Sequence, residues 1–188
     1  MIQHPASRSR RLGLPGLAHG DRLATTLGRR LDDDYHWFRS AAPGGMEPID
    51  AVAVGPGGTW TITHGGERGR FAHRNGHWYR WNRSTESWVP WDAVAITGAR
   101  LTGHRLSLYL ERAGLPASVS PILFGPSGME VELARGETPS VFVETAPERL
   151  ATLLSAEERL TQAQVDRIVA LLDPRQPLPR LAQATPGG

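Results

Sequence analysis

The chain contains no cysteine and no lysine. Without thiols, disulfides, thiolate zinc sites and cysteine nucleophiles are all excluded, and the absence says little about compartment. All 21 basic residues are arginine. GC-rich coding accounts for that bias, but whatever its origin no chemistry here can use a lysine ammonium. Long apolar runs are also missing: nothing approaches the roughly 20 residues of a membrane helix, and no membrane partner is expected. The arginines near the N-terminus have no apolar stretch behind them, which makes a poor secretory signal and implies a cytoplasmic protein. Excess charge of one sign is small as well. A formal net charge of +2 argues little, by itself, for nucleic acid.

What is present suits one globular domain, since 188 residues can enclose a sizeable core while two domains would be cramped. Residues 1–16 read as a flexible basic arm, 17–173 as the folded domain, and the Pro/Gly-rich 174–188 as a disordered tail. Within the domain, Leu23, Leu27 and Leu31 repeat every four residues and predict a helix over Asp21–Asp33. A strand-rich block follows: Ile49–Val54, a Gly55-Pro56-Gly57-Gly58 turn, Thr59–Thr63, then Gly69–His73 and Gly76–Trp81. Asn75-Gly76 between the last two is a strong hairpin signal, because both residues tolerate positive φ. Residues 92–113 predict a helix despite Gly98 and Gly103, with Gly114-Leu115-Pro116 ending it. Short strands are expected near Val119–Phe124, Met129–Leu133 and Val141–Glu144. A short helix over Pro147–Leu154 precedes a last one over Thr161–Leu172, where Thr161 and Gln164 have capping-box spacing. The expected class is α/β (α+β): one mixed sheet flanked by helices.

Arginine clusters at two places, Arg8–Arg30 and the hairpin carrying Arg68, Arg70, Arg74, Arg80 and Arg83. The hairpin interleaves them with Trp78, Tyr79 and Trp81. Guanidinium groups bridge phosphates bidentately and aromatic faces stack on exposed bases, so those five arginines are candidate nucleic-acid contacts. Packing over the sheet is the competing reading for Trp78, Trp81, Trp88 and Trp91. DNA, RNA or a protein are all open as partners.

The stretch from Ile49 to Trp81 resembles the centre of the nuclease-related (NERD) domain, a branch of the restriction-endonuclease-like PD-(D/E)xK superfamily. The resemblance rests on Ile49-Asp50, Gly55-Pro56-Gly57-Gly58, Gly69-Arg70 and Trp78 in that order, with flanking helices that extend it over roughly 16–173. It implies the restriction-endonuclease-like fold and a Mg²⁺ site built from an Asp at one strand end and a Glu-x-Lys on the next. A hard cation requires those carboxylate oxygens, and the metal acidifies the attacking water. Asp50 fills the first position. The Glu position is Thr63 and the Lys position Gly65, and Ala93, Val94 and Ala95 stand where the family's middle-helix glutamine is sought.

The resemblance therefore implies a catalytically inactive nuclease-related module that binds nucleic acid or a partner, with no catalytic residues and no cofactor. One alternative is a metal-dependent nuclease with a rearranged site, in which Glu67 and His64 join Asp50 around Mg²⁺ if the turn after the strand folds back. Another is a protein-interaction domain with no nucleic-acid role. Elsewhere the chemistry is sparse. His73, His77 and His104 have no ligand spacing, Asp32-Asp33-Asp34 reads as a solvated helix end, and Ser120 and Ser127 lack a base at triad spacing. Gly55–Gly58 has no P-loop lysine and is a turn.

Overall fold

The computed structural model describes residues 1–4, 16–134 and 139–173. Its strands are β1 (Ile2–His4), β2 (His36–Ala41), β3 (Ile49–Gly55), β4 (Gly58–His64), β5 (Gly69–Arg74), β6 (His77–Asn82), β7 (Ser87–Pro90), β8 (Val119–Phe124), β9 (Met129–Leu133) and β10 (Phe142–Glu144). The helices are α1 (Gly16–Gly28), α2 (Val94–Arg112), α3 (Pro147–Leu154) and α4 (Gln162–Leu172). The class is mixed α and β, as expected, but the strands form two sheets and not one. The first has the order β1-β2-β3-β4-β8-β10 and the second β7-β6-β5-β9. Among the described residues no helix is long and apolar enough to cross a membrane.

Glycine is the reason for the division. β4 and β8 run parallel in the first sheet, and β5 and β9, which follow them, run parallel in the second. Both chains cross between sheets at glycines: Gly65-Gly66 after β4 and Gly125 after β8. At Gly66 φ is +90°, and a Cβ there would lie 2.9 Å from the Met129 sulfur. At Gly125 an added Cβ would lie 2.7 Å from the same atom. Side chains at either place would push the crossing apart, so the two strands leave the first sheet together and pair again beyond it.

Each face of the first sheet is covered. Trp60 and Ile62 point with Ala51 and Ala53 into a core closed by Leu23 and Leu27 of α1 and by Leu150 and Leu154 of α3. Val52 and Val54 point the other way, against Leu106 and Leu110 of α2 and Val165 and Ile168 of α4. This double burial explains why β3 is nearly continuously apolar. It also explains why β2 escapes sequence reading: adjacent Trp37 and Phe38 are both buried, so no alternation marks the strand. The four-residue β7 ends on Pro90 and is missed for lack of length. The first helix lies earlier than expected, at Gly16–Gly28. Leu31 is still buried, in a turn where its N–H and that of Arg30 bond back to the Leu27 carbonyl (both 2.9 Å).

At the N-terminus, Ile2–His4 pairs in parallel with β2, so the first residues of the expected arm are a sheet edge. Residues 5–15 of that arm, including Arg8, Arg10 and Arg11, and the tail 174–188 lie outside the described residues. The α4 cap forms as its spacing requires: Thr161 N–H donates to the Gln164 side chain at 2.9 Å, and Gln164 N–H to the Thr161 hydroxyl at 3.4 Å. The Gly55–Gly58 turn does more than reverse the chain. Its Pro56 carbonyl accepts the Arg159 and Leu160 N–H groups (2.7 and 3.0 Å), which fixes the segment leading into α4.

Candidate functional site

The β3–β4 register, Ala51 opposite Ile62, sets Asp50 beside Thr63 on the α2 side of the sheet. A cleft of about 270 Å³ opens there, lined by Asp50 and Thr63, by Glu47, and by Gly98, Thr102 and Arg105 of α2. Asp50 Oδ2 accepts the His64 amide N–H at 2.8 Å. The His64 imidazole Nδ1 lies 3.7 Å away, a distance at which it acts as an electrostatic neighbour while the amide makes the hydrogen bond. Burial pushes the Asp50 carboxyl up, but the His64 imidazole and amide together outweigh it and hold the pKa below the ordinary carboxylate value.

The residues around Asp50 fall short of the two-carboxylate set that the resemblance implies. Mg²⁺ takes oxygen ligands in near-octahedral geometry, with one or two protein carboxylates beside waters and substrate phosphates. Thr63 offers a neutral hydroxyl and Gly65 no side chain. Glu47 is paired with Arg105 at 3.0 Å. Glu67, the proposed replacement, is carried into the second sheet by the Gly65-Gly66 crossing. It pairs there with Arg80 (3.0 Å) and accepts the Trp91 indole N–H (3.1 Å). The fold thus joins His64 to Asp50 and sends Glu67 elsewhere. Among the described residues no three His, Asp or Glu side chains converge at metal-binding spacing. Ala93, just ahead of α2, is buried, and Val94 at its start is 68% exposed. The helix reaches the cleft one to three turns later, through Gly98, Thr102 and Arg105. Sequence reasoning missed these and Glu47; the i, i+4, i+7 spacing on α2 was the available signal.

A larger, open groove of about 830 Å³ lies at one end of the second sheet. Four of the five arginines predicted from the hairpin line it: Arg68, Arg70, Arg80 and Arg83, together with Trp81, Asn82, Val89 and Glu130. The antiparallel β5–β6 pairing, Phe71 opposite Arg80, brings the start of one strand to the end of the other, and Gly69 and Gly128 let the chains come close there (Gly69 N–H to the Gly128 carbonyl, 3.0 Å). Four guanidinium groups and one carboxylate, Glu130, line the groove, and two further carboxylates pair with these arginines. Arg70 is tied to Glu132 at 2.7 Å and Arg80 to Glu67 at 3.0 Å. Among the described residues neither Arg68 nor Arg83 has an ion-pair partner, and both are exposed. Arg74 does not join the groove; it lies farther along the sheet, over Trp88 at 5.0 Å.

The tryptophans divide between the two faces of this sheet. Trp78 and Trp91 pack inward with Phe71, whose ring centroid is 4.3 Å from that of Trp91. Trp81 and Trp88 pair edge to face on the outer side, centroids 5.3 Å apart. All four are half-buried, so the packing reading holds for the inner pair, and the outer pair keeps surface open to solvent. The hairpin turn forms with Asn75 at φ 52° and Gly76 at φ 78°, as the sequence requires. No protein-family model matches the chain, and comparison with curated proteins and with solved structures finds no match.

Proposed function

We propose that this chain is a nuclease-related domain of restriction-endonuclease-like fold that has kept nucleic-acid binding and lost metal-dependent cleavage. The observation that carries the binding half is the convergence of Arg68, Arg70, Arg80 and Arg83 on one open groove with Trp81 in its wall. Among the described residues two of these guanidinium groups, Arg68 and Arg83, have no ion-pair partner and can meet phosphates bidentately. Two others are paired with carboxylates that cancel most of their charge, and they shape the groove more than they charge it. The loss of cleavage rests on residue chemistry at Asp50: its strand neighbour is a threonine, and the nearby acids are committed to Arg105 and Arg80. The β3–β4 hairpin followed by α2 and a β8 parallel to β4 supports the resemblance, since it seats Asp50 and Thr63 side by side.

The test is binding of a fluorescent oligonucleotide as a function of salt, with the wild type and an Arg68→Ala, Arg83→Ala double variant. Phosphate contacts release counterions, so log affinity must fall linearly with log salt, and removing two contacts should flatten that slope by roughly 1.4 for a single strand or 1.8 for a duplex. Binding indifferent to salt, or a double variant as steep as the wild type, would sink the assignment. If no oligonucleotide binds at all, the protein-interaction reading takes its place.

A further inference from the structure

We infer that the groove takes a single-stranded polynucleotide and not a duplex, with unpaired bases stacking on the Trp81–Arg70–Trp88 cluster beside it. The inference rests on the binding function proposed above and specifies its ligand. Three observations lead to it.

First, the groove is concave and small, at about 830 Å³. That is the size of an ordinary ligand cleft and admits part of one strand, whereas a duplex would span its rim. Second, planar groups cluster on the outer face beside the groove, with the Trp81 and Trp88 centroids 5.3 Å apart. The Arg70 guanidinium carbon lies 5.6 Å from the Trp81 ring centroid and 5.9 Å from that of Trp88, and Arg74 lies 5.0 Å from Trp88. Bases stack on aromatic rings and on guanidinium planes alike. In a duplex those base faces are already stacked on one another, so only an unpaired strand gains from the cluster. Third, among the strand residues of this sheet the acids are confined to one edge, while Glu86 lies in the β6–β7 turn. Glu130 and Glu132 stand on β9, which is the β5-side edge of the sheet, and the β5–β9 register puts Glu130 opposite Arg70. Trp81 and Trp88 stand on β6 and β7 toward the opposite edge. The two β9 acids are paired with Arg70 and Arg74, so the charge left to draw a polyanion is that of Arg68 and Arg83 in the groove lining, which hold its phosphates beside the tryptophans. A positively charged channel with a stacking platform is the usual means of holding single strands without reading sequence.

The experiment compares a 15-nucleotide single strand, as DNA and as RNA, with the matched duplex, using wild type, Trp81→Leu and Trp81→Phe. Leucine keeps apolar packing against Trp88 but removes the stacking face, and thermal melts verify that each variant is folded. The expected result is that at least one single strand binds ten times more tightly than the duplex. Trp81→Leu should weaken it about fivefold to a hundredfold with the salt slope unchanged, and Trp81→Phe should restore most of the loss. Tryptophan fluorescence should be quenched on binding, and less so in Trp81→Leu. Duplex bound as tightly as either single strand, with the Arg68 and Arg83 dependence intact, would overturn this inference and leave the binding function standing. A folded Trp81→Leu that binds single strands like the wild type would overturn it too. Absence of all oligonucleotide binding would remove both.

Discussion

Three glycine-to-alanine substitutions, chemically identical, should have three different effects on stability. Gly57 sits in the β3–β4 turn against the end of α3, where an added Cβ would overlap the backbone carbonyl of Leu154 and lie 3.0 Å from the Tyr35 hydroxyl. That hydroxyl donates to the same Leu154 carbonyl at 3.1 Å. Neither the turn nor the helix end is a flexible side chain that can swing away, so the methyl group must push elements apart. Overpacking costs about 1–3 kcal/mol, and weakening the buried Tyr35 hydrogen bond adds about 1 kcal/mol, so Gly57→Ala should lose about 2–4 kcal/mol. For a domain of this size that lowers Tm by roughly 5–15 °C. Gly98 lies in α2, is exposed, and has open space where its Cβ would go. Gly98→Ala should therefore gain roughly 0.5–1 kcal/mol from helix propensity alone. Gly103, on the same helix, faces β8, and its Cβ would stand 2.9 Å from that of Pro121. Its propensity gain is offset by a clash with a rigid ring, and a net loss of about 1–2 kcal/mol is expected. Urea denaturation of the three variants, with m-values compared, measures all of this. A Gly57→Ala variant within about 0.5 kcal/mol of wild type, or three variants that shift in one direction, would refute the packing assigned to these glycines.

Two further predictions concern ionisable groups. His36 Nδ1 lies 3.1 Å from His4 Nε2 at the β1–β2 edge, so one proton serves both nitrogens. Burial lowers the His36 pKa below its ordinary 6.5, with Asp166 and Asp34 opposing and the N-terminal ammonium assisting. The unfolded chain therefore binds more protons than the folded one as pH falls through that value, and stability should drop between pH 7.5 and 5.5. His36→Asn should remove a measurable part of the drop in paired urea titrations; a wild type that is more stable at pH 5.5 would contradict the sign. At the Asp50 cleft, incubation with DNA or RNA in Mg²⁺ or Mn²⁺ should give no cleavage above that of an Asp50→Ala control. Cutting that disappears in Asp50→Ala would establish the rearranged nuclease in place of the binding module.

The local chemistry of the chain decided a good deal. Asn75-Gly76, Thr161 with Gln164, and the β-branched run of β4 dictate their turn, cap and strand because each depends on residues within a few positions. The same holds for the side-chain chemistry beside Asp50: threonine and glycine stand at positions 63 and 65 however the chain folds, and the chain has no lysine. Contacts between residues distant in sequence were decided only in three dimensions. Nothing near Gly65 or Gly125 tells that two strand pairs leave one sheet for another, because the crossing depends on both fitting around Met129. That crossing carries Glu67 away from Asp50 to Arg80, and β-pairing then selects which arginines meet. Arg68, Arg70, Arg80 and Arg83 converge on the groove and Arg74 does not, since antiparallel register joins the start of β5 to the end of β6 and leaves Arg74 at the hairpin's other end. Likewise the two covered faces of the first sheet erase the alternation that would have marked β2. A period-2 pattern reports one buried face, and this sheet has two.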